Sequence, residues 1–240
     1  WFKESLASGH AEGYFNLAGN FTTQSEPAYC GPSSLAMVLN ALEVDPGRPW
    51  KGVWRWYSDE LIQTCATPEA VLQQGITFDE FTCMATEHGD VVAKRGDQVS
   101  RAEFLADIER VCASTDTFMV ISFSRKTLNQ TGDGHFSPIG AYHASSQSVL
   151  VLDTARFKYP SYFASVDSLY DALQPVDKAT GKPRGYFLIR ELPEAPSNPG
   201  HLPSTVSNVG KERSLLPPPA CSTSALNKQK GCRNLCGRRA

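Results

Sequence analysis

Every phenylalanine, tryptophan and tyrosine of the 240-residue chain lies at or before Phe187. That limit constrains the fold more than any other feature. Residues 191–240 hold seven of the sixteen prolines and no aromatic side chain. Such a segment lacks the apolar surface that offsets the entropy of ordering a chain. The expected organisation is a folded body over 1–190 and a disordered tail over 191–240. The tail carries Cys221, Cys232 and Cys236, and from Lys211 it has seven Lys/Arg against one Glu, which reads as a solvated basic end. Trp rather than Met stands at position 1, and WFKESLASGH lacks the apolar core of a signal peptide, so the chain reads as a fragment or processed form.

The body must bury a core, and 41% hydrophobic with 20% charged residues is enough for one. A net charge of -2 gives no reason to expect a nucleic-acid or membrane partner. No apolar run approaches the ~18 residues of a membrane span. The seven cysteines are widely and irregularly spaced, unlike a secreted disulfide framework. They read as mostly free thiols in a reducing compartment, which places the chain in the cytoplasm.

Helical patterns come first. Leu35, Val38, Leu39 and Leu42 repeat at the spacing of a helix with one buried face, with Pro32 in its first turn. A short helix is bounded by Thr67-Pro68 and Gly75. Thr77 with Glu80 and Ser100 with Glu103 read as capping boxes of two more, the second burying Phe104, Leu105, Ile108, Val111 and Cys112. Strand patterns follow at 117–123, 135–144, 149–153 and 185–191, with a helix near 165–173. SSQS (145–148) is expected to close a hairpin. A helical front half followed by an antiparallel sheet is an α+β pattern.

Within QSEPAYCGPSSLAMVLNAL (24–42), Cys30 sits at the tip of a helix, ahead of its apolar stripe. Most free cysteines simply pack. A helix N-terminus, however, offers unpaired N–H groups and a dipole that stabilise a thiolate. A nucleophile needs a base and a group that orients it. His135 follows TGDG and opens a strand, a position from which an imidazole reaches a cleft. Asp153 ends the strand VLVLD. Antiparallel pairing about SSQS puts Asp153 beside His135 and leaves His143 at the far end. Gln24, six residues before Cys30, could supply a side-chain amide to an oxyanion hole with the Cys30 N–H. This order is that of thiol proteases, and the expected fold is papain-like.

At these residues the chain resembles the phytochelatin synthases. QSEPAYCGPSSLAMVLNALEVDPGRPWKGVWRW (24–56), TGDGHFSPIGAY (131–142) and LDTARFKYP (152–160) look like that family's three central motifs. The resemblance covers about residues 15–190, the family's catalytic domain. It implies that Cys30 attacks the Cys–Gly bond of glutathione and releases glycine, with His135 as base and Asp153 as its orienting acid. The γ-glutamylcysteinyl group then passes to a second glutathione or a phytochelatin peptide, making products that chelate heavy metals. It further implies that Asp177 and Arg184 hold the γ-glutamyl head and that Arg156 serves the second substrate. The expected activators are Cd²⁺, Zn²⁺ and Cu²⁺, acting chiefly as metal–glutathione thiolates, with no organic cofactor and with room for a homodimer. The chain departs from its plant relatives at Thr64-Cys65, where they have adjacent cysteines, and at His143, where they have Asn. Cys232 and Cys236 are weak metal-ligand candidates, since three tail cysteines lack a fourth ligand. Two other readings stay open at this point: a hydrolase that uses water on the same acyl-enzyme, and a non-catalytic metal-binding protein.

Overall fold

The computed structural model describes residues 1–192. The chain divides into two units, Trp1–Leu192 and Pro193–Ala240. The expectations of a disordered tail and of ligands at Cys232 and Cys236 fall outside the described residues.

Short helices α1 (Phe2–Ala7) and α2 (Tyr14–Gly19) precede the main one, α3 (Cys30–Ala41). Pro32 is tolerated in the first turn of α3 because the N–H groups there have no intrahelical acceptor. The sequence pattern suggested one buried face. Instead, every α3 residue except Asn40 is buried. The reason is position: the helix packs on the sheet and is covered by α2 and by α5 (Phe78–Thr86). Its fully enclosed Leu35, Met37 and Leu39 are each worth roughly 1.5–3 kcal/mol of burial. α4 (Pro68–Gln74) begins on the Thr67 cap and stops at Gly75, whose φ of 71° favours glycine. Thr77 and Glu80 form a complete capping box at α5. At α6 (Arg101–Cys112) only half of the expected box is present. Ser100 caps the Glu103 N–H, but the Glu103 carboxylate pairs with Lys94 at 2.6 Å.

The remaining elements are β1 (Asp90–Arg95), β2 (Thr117–Ser124), β3 (Gly134–His143), β4 (Ser148–Val151), β5 (Tyr162–Ser165), α7 (Val166–Leu173) and β8 (Gly185–Arg190), with a two-residue pair of β6 (Val176–Asp177) and β7 (Lys182–Pro183) before β8. Six strands form one antiparallel sheet in the order β1-β8-β2-β3-β4-β5. Alternate residues of β2 face opposite sides. Phe118 and Val120 join a core with α3 and α5, while Met119, Ile121 and Phe123 join a second with α6 and α7. The fold is α+β.

The β3–β4 hairpin turns through Ala144–Gln147, and its register slips between Ile139 and Ala141. The reading of mostly free cysteines needs correction. Cys65 and Cys83 form a disulfide that ties the segment before α4 to α5, whereas Cys30 and Cys112 are free and buried. Among the described residues, no helix is long and apolar enough to cross a membrane.

Candidate active site

The packing of α3 on β3 brings the nucleophile to its base. Ser34, one turn into α3, donates to the Phe136 carbonyl at 3.1 Å, and the Phe136 ring stacks on Phe81 of α5 with centroids 5.1 Å apart. These contacts fix Cys30, at the helix tip, against His135, the neighbour of Phe136. Gly31, next to Cys30, allows another group to approach closely. The group that comes close is Ile76, whose side chain lies within 2.7 Å of where a Cβ would stand, so the glycine serves packing.

Cys30, His135 and Asp153 form one buried line. His135 Nε2 is 2.9 Å from Asp153 Oδ1. The imidazole also faces the Cys30 thiol closely enough to act on it through its charge and hydrogen bonding. Burial pushes the Cys30 thiol up. The charge and hydrogen bond of His135, the Phe136 N–H and the charge of Arg125 outweigh this and hold it below the ordinary thiol range. Burial likewise pushes His135 down, but the facing thiolate and Asp153 carry it above its usual value. For Asp153, burial is outweighed by His135 and Arg125, which bring its carboxyl down to about 2. The three therefore favour a thiolate–imidazolium pair steadied by a carboxylate.

Arg125 was not anticipated. It follows β2, is buried, and clamps both oxygens of Asp153, with Nη2 to Oδ1 and Nη1 to Oδ2 each at 2.9 Å. The guanidinium lies 4.8 Å from the Tyr159 ring centroid and also donates to Gln130 Oε1 at 2.5 Å. A charge directly after an apolar strand reads as a surface terminator.

The other candidates are placed as follows. Gln24 is buried near the loop leading to Cys30, but both Nε2 hydrogens go to the carbonyls of Glu26 (2.9 Å) and Pro27 (2.8 Å). Its Oε1 accepts from Thr154 at 3.3 Å. Arg184 stands beside Asp177 (3.7 Å) and Asp133 (3.0 Å), and its guanidinium lies 2.8 Å from the Cβ position of Gly134, next to His135. Its buried Nε has no hydrogen-bond partner among the described residues. The structure thus brings Asp177 and Arg184 together beside the triad. Arg156 stands apart and exposed, over the Phe21 ring at 4.9 Å. His143 is at the far end of β3, paired with Glu4 and Ser146. Among the described residues, no three His, Cys, Asp or Glu side chains are grouped to hold a metal ion.

The phytochelatin synthase family model matches residues 1–186. Glutathione gamma-glutamylcysteinyltransferase 3 of Lotus japonicus is 46% identical over 197 residues, which is 82% of this chain and 41% of the relative. The glutathione gamma-glutamylcysteinyltransferase of Schizosaccharomyces pombe is 43% identical over 210 residues, 87% of this chain and 49% of the relative. Glutathione gamma-glutamylcysteinyltransferase 1 of Triticum aestivum is 46% identical over 82% of this chain and 39% of its own length. The chain spans less than half the length of these relatives. With a family match over most of the body and this level of identity, the chain belongs to the phytochelatin synthase family.

Proposed function

We propose that the chain is a glutathione γ-glutamylcysteinyltransferase of papain-like fold that works through a Cys30 thioester. The observation that carries this reading is the buried Cys30–His135–Asp153 line with its lowered thiol and raised imidazole. The Cys30 thiolate attacks the carbonyl carbon of the Cys–Gly bond. The His135 imidazolium gives its proton to the departing glycine nitrogen, and a γ-glutamylcysteinyl thioester remains. The amino group of a second glutathione or of a phytochelatin then loses a proton to His135 and attacks the thioester, and the Cys30 thiolate leaves. Asp153 keeps the imidazole oriented and balances its charge in both steps.

The Cys30 N–H, in the first turn of α3, has no intrahelical acceptor and is the primary oxyanion donor. Gln24 joins it by exchanging one of its two carbonyl bonds for the oxyanion. The γ-glutamyl head carries an ammonium and a carboxylate on one carbon. Asp177 takes the ammonium, and Arg184 takes the carboxylate through its unpartnered Nε and its fork. Heavy-metal ions enter as thiolate complexes of the substrate, whose sulfurs match soft cations. A cytoplasmic setting belongs to the same proposal and rests on the glutathione substrate, since the Cys65–Cys83 disulfide removes the free-thiol argument for it.

The test is product analysis with glutathione, with and without Cd²⁺. Oligomers (γ-Glu-Cys)n-Gly together with glycine support the transferase. Glycine and γ-Glu-Cys without oligomers make the chain a hydrolase on the same acyl-enzyme. No glycine, or full glycine release by Cys30→Ser, overturns the proposal.

A further inference from the structure

The acid nearest to Arg184 is not the one given to the substrate. Asp177 Oδ2 is 3.7 Å from Arg184 Nη1, whereas Asp133 Oδ1 accepts from Arg184 Nη2 at 3.0 Å. The chemistry above gives Asp133 no part. It ends the connection between β2 and β3, where its carbonyl accepts from the Arg125 N–H at 2.7 Å. The backbone is therefore tied while the side chain reaches Arg184. The other oxygen, Oδ2, accepts from Lys126 Nζ at 3.2 Å.

Arg184 is a half-filled anion site. A guanidinium presents Nε–H and Nη2–H side by side, an edge that matches the two oxygens of one carboxylate. On Arg184 the Nη2 half of this edge is taken by Asp133, and the Nε half is buried without a partner among the described residues. A buried donor left unpaired is costly. A carboxylate set squarely on the edge satisfies both donors, and Asp133 satisfies one.

Exposure shows which partner yields. The Arg184 side chain is 7% exposed, while those of Asp133 and Lys126 are 46% and 66% exposed. Ion pairs with an exposed member hold weakly, so Asp133 is the group that moves. Burial pushes the Asp133 carboxyl up, but Lys126 and Arg184 outweigh this and hold it below the usual carboxylate range. Near neutral pH it is charged and competes with any incoming anion. Arg184 and Lys126 here face Asp133 and Asp177, two charges of each sign. A γ-glutamyl head brings one more of each. With its carboxylate on Arg184, its ammonium on Asp177 and Asp133 on Lys126, every charge is paired and Nε gains its acceptor.

We propose that Asp133 is a built-in competitor for the substrate carboxylate, holding Arg184 in the free protein and moving onto Lys126 when a γ-glutamyl head binds. Arg184 then accepts only a ligand whose carboxylate reaches both Nε and Nη2. The proposal rests on the reading that Arg184 takes the γ-glutamyl carboxylate, and it names the residue that sets the affinity and selectivity of that subsite.

Calorimetric titration of Cys30→Ser protein, which forms no thioester, tests it. The ligands are glutathione and glutathione whose glutamyl α-carboxylate is a carboxamide. Asp133→Asn keeps the shape and an oxygen for Lys126 but removes the charge, and Asp133→Ser removes the charge with a different shape. Each is expected to tighten glutathione at least twofold and to leave the carboxamide without that gain. A purely structural Asp133 gives the opposite sign, since its loss loosens Arg184. A gain below twofold in both variants, or an equal gain for the carboxamide, overturns the proposal. Lys126→Ala is expected to weaken glutathione at least twofold, and to lose that effect when Asp133→Asn is also present. The same loss in both backgrounds overturns the move onto Lys126. Arg184→Ala separates the proposal from its premise and is expected to weaken glutathione at least tenfold. If it binds as tightly as its parent, the Arg184 reading fails and the proposal with it. If it loses affinity while neither Asp133 variant gains any, the proposal alone fails.

Discussion

Replacing Arg125 with leucine removes the guanidinium that clamps both oxygens of Asp153 and leaves the fully buried carboxylate with His135 as its charged partner among the described residues. Both guanidinium contacts are 2.9 Å, and the pair is about as enclosed as any in the body, with side chains 3% and 0% exposed. Breaking a buried pair from one side costs about 3–5 kcal/mol when the remaining charge is left alone, and here His135 and the Ala155 N–H offset part of that. A domain is stable by only about 5–15 kcal/mol, so Arg125→Leu consumes a large part of the margin. Urea unfolding at pH 7, read by fluorescence and circular dichroism, measures the loss. Pairing Arg125→Leu with Asp153→Asn removes both charges, and the double variant is expected to recover most of what the single one lost. The acid limb adds a signed check. The folded carboxyl is held at about 2, below its unfolded 3.8, so it contributes stability above pH 4 that is lost as pH falls through 2. That contribution is roughly 2 kcal/mol and is shared by His135 and Arg125. In Arg125→Leu the limb moves to higher pH. A loss under about 1 kcal/mol, as for an exposed ion pair, with an unmoved acid limb, would refute the view that Arg125 holds Asp153 in its charged form.

Further expectations concern the site and its frame. With the Cys30 thiol lowered and His135 raised, kcat/KM plotted against pH is flat between two apparent values that belong to the pair. Asp153→Asn narrows that plateau by pulling the basic limb down, since His135 loses the partner that keeps it protonated, and an unchanged profile contradicts this. In stability terms the raised His135 contributes below pH 6.5 and loses that contribution as pH rises through its folded value, which pH-dependent unfolding would show. Cys65→Ala opens a disulfide whose cysteines are 18 residues apart and is expected to lower stability by about 3 kcal/mol, measured by urea unfolding. Gly134→Ala drives a methyl group into the Arg184 guanidinium, so KM for glutathione rises while Cys30 still alkylates at the wild-type rate.

The catalytic line was legible because each member sits at the end of an element whose type the pattern revealed. Cys30 opens a helix marked by its apolar repeat, His135 opens a strand after a glycine turn, and Asp153 follows an apolar strand across a short hairpin. One pairing rule then brings the two strand ends together. What escaped depends on contacts between distant segments. Arg125 gains meaning only when β2 and the end of β4 lie across β3. The Cys65–Cys83 bond joins a loop to the face of a helix, so sequence spacing carried no signal of it. β1 was invisible because its apolar run is only Val91, Val92 and Ala93, bounded by Asp90 on one side and by Lys94 and Arg95 on the other. Both basic side chains are drawn off the strand by Asp107 and Asp79. The buried character of α3 was understated for a related reason: Ser33 and Ser34 look like an outer face until Asp59 and the Phe136 carbonyl accept their hydroxyls.

The central claim is a covalent γ-glutamylcysteinyl group on Cys30. Rapid acid quench of the protein with glutathione, followed by intact-mass and peptide mass spectrometry, reads it directly. One γ-glutamylcysteinyl group on the peptide containing Cys30, matched by one equivalent of glycine and absent from Cys30→Ser, is the predicted result. Glycine released while Cys30 stays unmodified and alkylatable throughout would contradict it.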